Sequence, residues 1–108
     1  MEFDNEIVER VWEKARIVPE RDPSEWRKDE CGAWIRRSSY GGNGSQFAWK
    51  IENVSPTGSD DLENLRPFHR DNSLDRRTGE HYCRVKADCD FPLPAAATID
   101  SPRNQTVV

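Results

Sequence analysis

Long apolar runs are missing from this chain, and with them any candidate membrane-spanning helix. No stretch approaches the roughly 20 consecutive apolar residues that a bilayer crossing needs. Hydrophobic residues make up 34% of the sequence and charged residues 33%, on the polar side for a folded domain. The first residues, Met1-Glu2-Phe3-Asp4-Asn5-Glu6, lack the basic and apolar segments of a secretory leader, so a cytoplasmic protein with no membrane partner is expected. Cysteine is scarce and odd in number. Cys31, Cys83 and Cys89 have no framework spacing, Cys83 and Cys89 match no common zinc knuckle, and a reducing cytosol argues against a structural disulfide. Buried or free thiols are expected, with a metal site built from Cys31, Cys83 and His69 or His81 as the alternative. Positive charge is also short. Sixteen Lys and Arg against twenty Asp and Glu leave a net charge of −4, which argues against strong nonspecific nucleic-acid binding by the molecule as a whole.

What is present is enough for one domain with a single modest core, since the chain has 108 residues. Residues 4–16 place Ile7, Val8, Val11, Trp12 and Ala15 at three- and four-residue intervals, with charged residues between them. That period predicts an amphipathic helix, capped by Asp4 and stopped by Pro19. Asp22-Pro23 opens a predicted turn into a short helix, with Trp26 facing inward and Arg27 and Lys28 facing water. Residues 31–37 read as a strand, Ser38 to Ser45 as a Gly/Ser/Asn hairpin loop, and residues 46–54 as the return strand. The loop lacks the lysine and the strand-to-helix setting of a phosphate cradle. The four tryptophans, Trp12, Trp26, Trp34 and Trp49, are expected in the core.

Further on, Asn64-Leu65-Arg66-Pro67-Phe68-His69 reads as a short strand and the basic segment after it, to Arg77, as a helix. Glu80 to Val85 is a strand expected beside Ala33–Arg36. The proline-rich segment from Phe91 has no periodicity, so residues 88–108 read as a disordered tail behind a domain of residues 1–87. Charge is uneven: residues 64–86 carry Arg66, Arg70, Arg76, Arg77, Arg84 and Lys86 against Asp71, Asp75 and Glu80. A local basic face on an acidic protein follows.

The wording of residues 47–77 resembles the HNH nucleases, whose members usually read W-E-I-D-H-I-x-P, then G-G-S-D-D-L-x-N-L-x-P-L-H, then N-N. The second part survives as Gly58-Ser59-Asp60-Asp61-Leu62-Glu63-Asn64-Leu65-Arg66-Pro67-Phe68-His69. Upstream, Val11-Trp12-Glu13-Lys14 and Trp26-Arg27-Lys28-Asp29-Glu30-Cys31-Gly32-Ala33-Trp34-Ile35 are similar to small stand-alone bacterial and phage proteins of that family. The likeness covers residues 3–86. It implies an α+β fold with an HNH-like ββα-metal core, an N-terminal helix and a small antiparallel sheet.

The resemblance also assigns roles. A metal, a histidine-activated water and a loop-fixing asparagine cleave phosphodiesters in such a site. Glu52 stands where the family has its metal-ligating aspartate, and its extra methylene displaces the carboxylate by about 1.5 Å. Asn53 stands where the general-base histidine belongs, and a carboxamide accepts no proton near neutrality. Asn64 matches the loop asparagine. Asn72-Ser73 matches the Asn-Asn pair that ends in a ligand, and a serine hydroxyl is a poorer magnesium ligand than an amide oxygen. His69 is either a substitute base or ligand, or a histidine hydrogen-bonded to its loop.

The expectation is therefore a degenerate nuclease, with no catalytic residue assigned among Glu52, Asn53, Asn64 and His69. Glu52, Asn72 and His69 are the candidates for a weakly bound Mg, Mn or Zn ion. Arg66, Arg70, Arg76 and Arg77 are the candidates for contact with DNA or RNA. The alternatives are a protein-binding regulator or inhibitor, and a residual metal-dependent DNA endonuclease.

Overall fold

The computed structural model describes residues 3–19, 21–42, 44–55, 61–87 and 102–107. Pro56 to Asp60, the first part of the family-like motif, and Cys89 lie outside these residues. The described residues form an α+β fold with one α-helix, α1 (Asn5–Trp12), and small antiparallel strand pairs. Asp4 caps α1 as expected, its side chain accepting from the Ile7 N–H at 2.9 Å. The helix buries Val8, Val11 and Trp12, each contributing about 1.5–3 kcal/mol of apolar burial. It ends a turn earlier than its periodicity predicts. Arg16 is pulled out of the helix by a two-way backbone exchange with Lys28, at 2.8 and 3.0 Å.

That exchange belongs to the region where a second helix was expected. Asp22 does start a turn, with the Glu25 and Trp26 amides bonding back to its carbonyl. The chain then extends as β1 (Trp26–Lys28) and pairs with β2 (Trp34–Arg36). Trp26 is consequently only half-buried, rather than a core residue like Trp12, Trp34 and Trp49.

The expected partner of residues 31–37 also changes. β3 (Trp49–Asn53) pairs with β4 (Leu65–His69), from Trp49 opposite His69 to Asn53 opposite Leu65. Pro67 fits this strand because ladder bonds fall at alternate positions. The Arg70 amide donates to Ala48 and the Val54 amide to Asn64, so the missing N–H of Pro67, opposite Ile51, is one that would point away from β3. The turn after β2 is a 3-10 turn, Arg37–Ser39, and Tyr40 then lies parallel to Trp49. The core forms where α1 covers β3–β4. Val8, Val11, Trp12, Ala15, Ile35, Trp49 and Leu65 pack together there, with the Trp12 and Trp49 rings 5.3 Å apart.

After β4 the expected helix is absent. Residues 70–82 form a small hairpin instead, β5 (Ser73–Leu74) pairing with β6 (His81–Tyr82), and Gly79 takes a left-handed φ of 75° in its turn. β6 therefore pairs with β5 rather than with Ala33–Arg36. β7 (Val85–Ala87) pairs with β8 (Asn104–Thr106). Part of the segment expected to be disordered is thus a strand. Asn104 explains its docking: its side chain bonds the Trp34 N–H at 2.7 Å and the carbonyls of Trp34 and Gln46 at 2.9 and 2.8 Å.

Cys31 and Cys83 form a disulfide, with Cα atoms 5.5 Å apart. This corrects the expectation of free thiols. A cysteine count cannot show that the turn after β1 and the link between β6 and β7 converge on one buried hydrogen-bond network.

Candidate functional site

That network centres on Asp29, at the end of β1 and 1% exposed. One carboxylate oxygen accepts from the Cys31 and Ala33 amides at 3.0 and 2.8 Å. The other accepts from the His69 amide at 2.8 Å and the Asn72 side chain at 3.0 Å. Asp29 thus closes its own turn and caps an N–H on the outer edge of β4, which β3 does not reach. Gly32 completes the turn, its amide bonding the Asp29 carbonyl at 3.0 Å and its φ at 88°. Sequence reasoning placed Asp29 at the end of the expected short helix and gave it no role. The available signal was Asp29-Glu30-Cys31-Gly32, with aspartate first and glycine fourth in a turn.

Asn72 is fully buried and saturated. Its amide nitrogen donates to Asp29 and to the Val85 carbonyl, and its oxygen accepts from the Arg84 and Val85 amides at 2.8 and 2.9 Å. It holds β7 against the Asp29 turn and keeps no lone pair for a metal. His69 is 2% exposed. Its Nδ1 accepts from the Asp71 amide at 3.1 Å, so the proton sits on Nε2 and is donated to the Gln46 carbonyl at 2.7 Å. Both ring nitrogens are engaged, as in the loop-bonded role weighed above.

The remaining family-like positions lie on β3 and the segment after it. Asn53 turns its side-chain oxygen back to the Ser55 amide at 2.9 Å. Glu52 is paired with Lys50 at 3.5 Å and stands opposite Arg66. The Asn64 carbonyl accepts from Val54 at the end of the β3–β4 ladder, and its amide bonds Asp61. The structure therefore brings His69 and Asn72 together, through Asp29, while Glu52 takes part in none of the hydrogen bonds of that network. Among the described residues, no three His, Cys, Asp or Glu side chains form a group that could hold a metal ion. The disulfide also removes Cys31 and Cys83 from the alternative site with His69 or His81.

The four candidate arginines separate in the same way. Arg66 is held by Glu30 at 3.2 Å, and Glu30 also meets His81 at 2.8 Å. Arg70 lies 3.7 Å from Asp71. Arg76 and Arg77 sit exposed in the turn between β5 and β6, and among the described residues neither side chain makes an ion pair. The turn is kept by the Asp75 carboxylate, which accepts the Arg77 amide at 2.8 Å. Close to Arg66, Lys14 fastens the segment after α1 to the start of β4 by donating to the Leu62 and Leu65 carbonyls. Burial, and then the nearby Arg66 charge, push its pKa below the usual lysine value, with Glu63 opposing them.

These features define an α+β protein whose most buried polar cluster is a fastening rather than an open cavity. No protein-family model matches the chain, and neither a curated protein nor a solved structure is similar to it. Among the described residues no helix is long and apolar enough to cross a membrane.

Proposed function

We propose that the chain is an HNH-nuclease-related protein that no longer cuts, and that it binds nucleic acid through the exposed arginines of the β5–β6 hairpin. The observation that carries the loss of cleavage is the saturation of the family-like positions. His69 and Asn72 spend their side-chain polar atoms on the protein's own backbone and on Asp29, and the Asn53 side-chain oxygen is spent on the Ser55 amide. A general base must reach a water and a ligand must keep a lone pair; His69 fails the first condition and Asn72 the second, which leaves the half-buried Glu52 carboxylate, paired with Lys50, without either as a partner.

Kinship with the family rests on the sequence wording, and the antiparallel β3–β4 pair supports it, read as the two strands of a ββα unit. With no helix at residues 70–82, the groove contact such a helix would make passes to a β-hairpin. A two-stranded ribbon fits a nucleic-acid groove, and arginines at its tip meet phosphates. The charge balance of residues 64–86, six cations against three carboxylates, supports that reading. The disulfide fits an oxidising compartment, at odds with the cytoplasmic placement expected from the first residues.

Fluorescence anisotropy with duplex DNA, single-stranded DNA and RNA at low salt tests the binding role. Replacing Arg76 and Arg77 by alanine should weaken binding and reduce the salt slope for duplex by about 2. Absence of binding to all three would end the proposal. Plasmid incubated with magnesium, manganese or zinc should stay intact; nicking that disappears in a Glu52→Ala variant would overturn the inert assignment.

A further inference from the structure

The outward face of β1–β2 carries a second feature that the hairpin arginines do not explain. Trp26 stands opposite Arg36 and Lys28 opposite Trp34, so alternation puts all four side chains on one face. The intervening residues point the other way. Ile35 is in the core, and Arg27 bonds the carbonyls of Glu13, Ala15 and Pro23.

This face alternates rings and cations, with Trp34 buried beneath its cations and Trp26 half-buried beside it. The Lys28 ammonium lies 4.9 Å from the centre of the Trp34 ring, the Arg21 guanidinium 5.9 Å from the same ring, and Arg36 5.2 Å from Trp26. Phe47 extends it, meeting Trp26 edge to face at 4.8 Å. Arg16 stands opposite Lys28 across the neighbouring bridge. Trp26 and Phe47 are half-buried, and Glu25 bonds Arg36.

We propose that this face is a surface for single-stranded nucleic acid, with the cations taking phosphates and Trp26 and Phe47 taking bases. The proposal rests on nucleic acid being the ligand class, as above, and adds a separate surface and a strand preference. Charge complementarity selects a polyanion. Rings interleaved with the cations select one with flat unstacked groups, because a duplex keeps its base faces inside while a single strand offers them. An acidic peptide would use the cations and leave the rings unexplained.

Anisotropy of labelled oligothymidylate, with competition by duplex DNA and by polyglutamate, tests the surface. Trp26→Leu should weaken oligothymidylate binding by roughly 5- to 150-fold, the range for losing one stacked base. Because Trp26 is half-buried, far-UV circular dichroism should accompany that variant. The pair Lys28→Gln and Arg36→Gln provides a second probe that leaves the rings in place, and should lower the single-strand salt slope by about 1.4. Three results would overturn the surface. Equal competition by polyglutamate with no effect of Trp26→Leu would make it a simple polyanion patch. Unchanged binding in all face variants, with loss on replacing Arg76 and Arg77, would leave the hairpin reading standing and remove this one. Failure of the unaltered protein to bind any nucleic acid would remove both. Binding lost in the face variants but kept without Arg76 and Arg77 would support this surface alone.

Discussion

Replacing Asp29 by alanine should be among the most damaging single changes available to this protein. The carboxylate is 1% exposed and accepts four hydrogen bonds, from Cys31, Ala33, His69 and Asn72. Alanine leaves three backbone N–H groups and one amide N–H without partners at a site closed to water. Each unsatisfied buried donor costs about 1–3 kcal/mol, so four give roughly 4–12 if nothing relaxes. Relaxation and entry of a water reduce this, and losses of one partner from buried charged networks run about 3–5 kcal/mol. A domain of this size has about 5–15 kcal/mol to lose. Urea unfolding followed by tryptophan fluorescence, with the disulfide kept intact, should therefore show a loss of about 3–5 kcal/mol. Asp29→Asn should cost less, about 2–4 kcal/mol, since one oxygen still accepts while the new NH2 faces donors. Combining Asp29→Ala with Asn72→Ala should be non-additive by about 0.5–3 kcal/mol, because the two share a hydrogen bond. A loss below about 1 kcal/mol for Asp29→Ala, with an unchanged denaturant slope, would refute the claim that this carboxylate organises the fold.

The other predictions concern the covalent link, one glycine and one exposed carboxylate. Reducing Cys31–Cys83, or replacing both residues by serine, opens a link across a sequence separation of 52; chain entropy sets its contribution at about 4 kcal/mol, and the urea midpoint should fall accordingly. Gly32→Ala should cost about 1–2 kcal/mol purely from its positive φ, because the added Cβ would meet no atom within 4 Å; a thermal melt reads it. Hydrogen bonds from the Ser24 hydroxyl and amide hold the exposed Asp22 carboxyl below its usual pKa. A lowered folded-state pKa contributes stability that is present above about pH 4 and is lost as pH falls below it. Asp22→Ala should flatten that part of the profile in melts between acid and neutral pH, and an unaltered acid limb would count against the assignment.

The local parts of this fold were legible in the sequence. The period of Ile7, Val8, Val11 and Trp12, with Asp4 before them, specifies a capped helix because cap and apolar stripe are both encoded within a few residues. The turn at Asp22-Pro23-Ser24 and the extended character of residues 34–36, 49–53 and 65–69 were readable for the same reason. Partners were another matter. Alternation says which side chains share a face but not which strand lies alongside. β3 accordingly found β4 rather than the 31–37 segment, and Asn104 brought residues 104–106 of the expected tail into a sheet.

The candidate site divides along the same line. From the residues alone it follows that Asn53 cannot serve as a base and that Ser73 is a poor ligand, because those are properties of the side chains. Only the tertiary structure decides the fate of His69 and Asn72, whose chemistry would permit catalysis or ligation. Segments around positions 29, 46, 69 and 85, distant in the chain, converge and use up their polar atoms. A hydrogen bond satisfied by a residue forty positions away has no local signature, and neither does the burial that makes it obligatory.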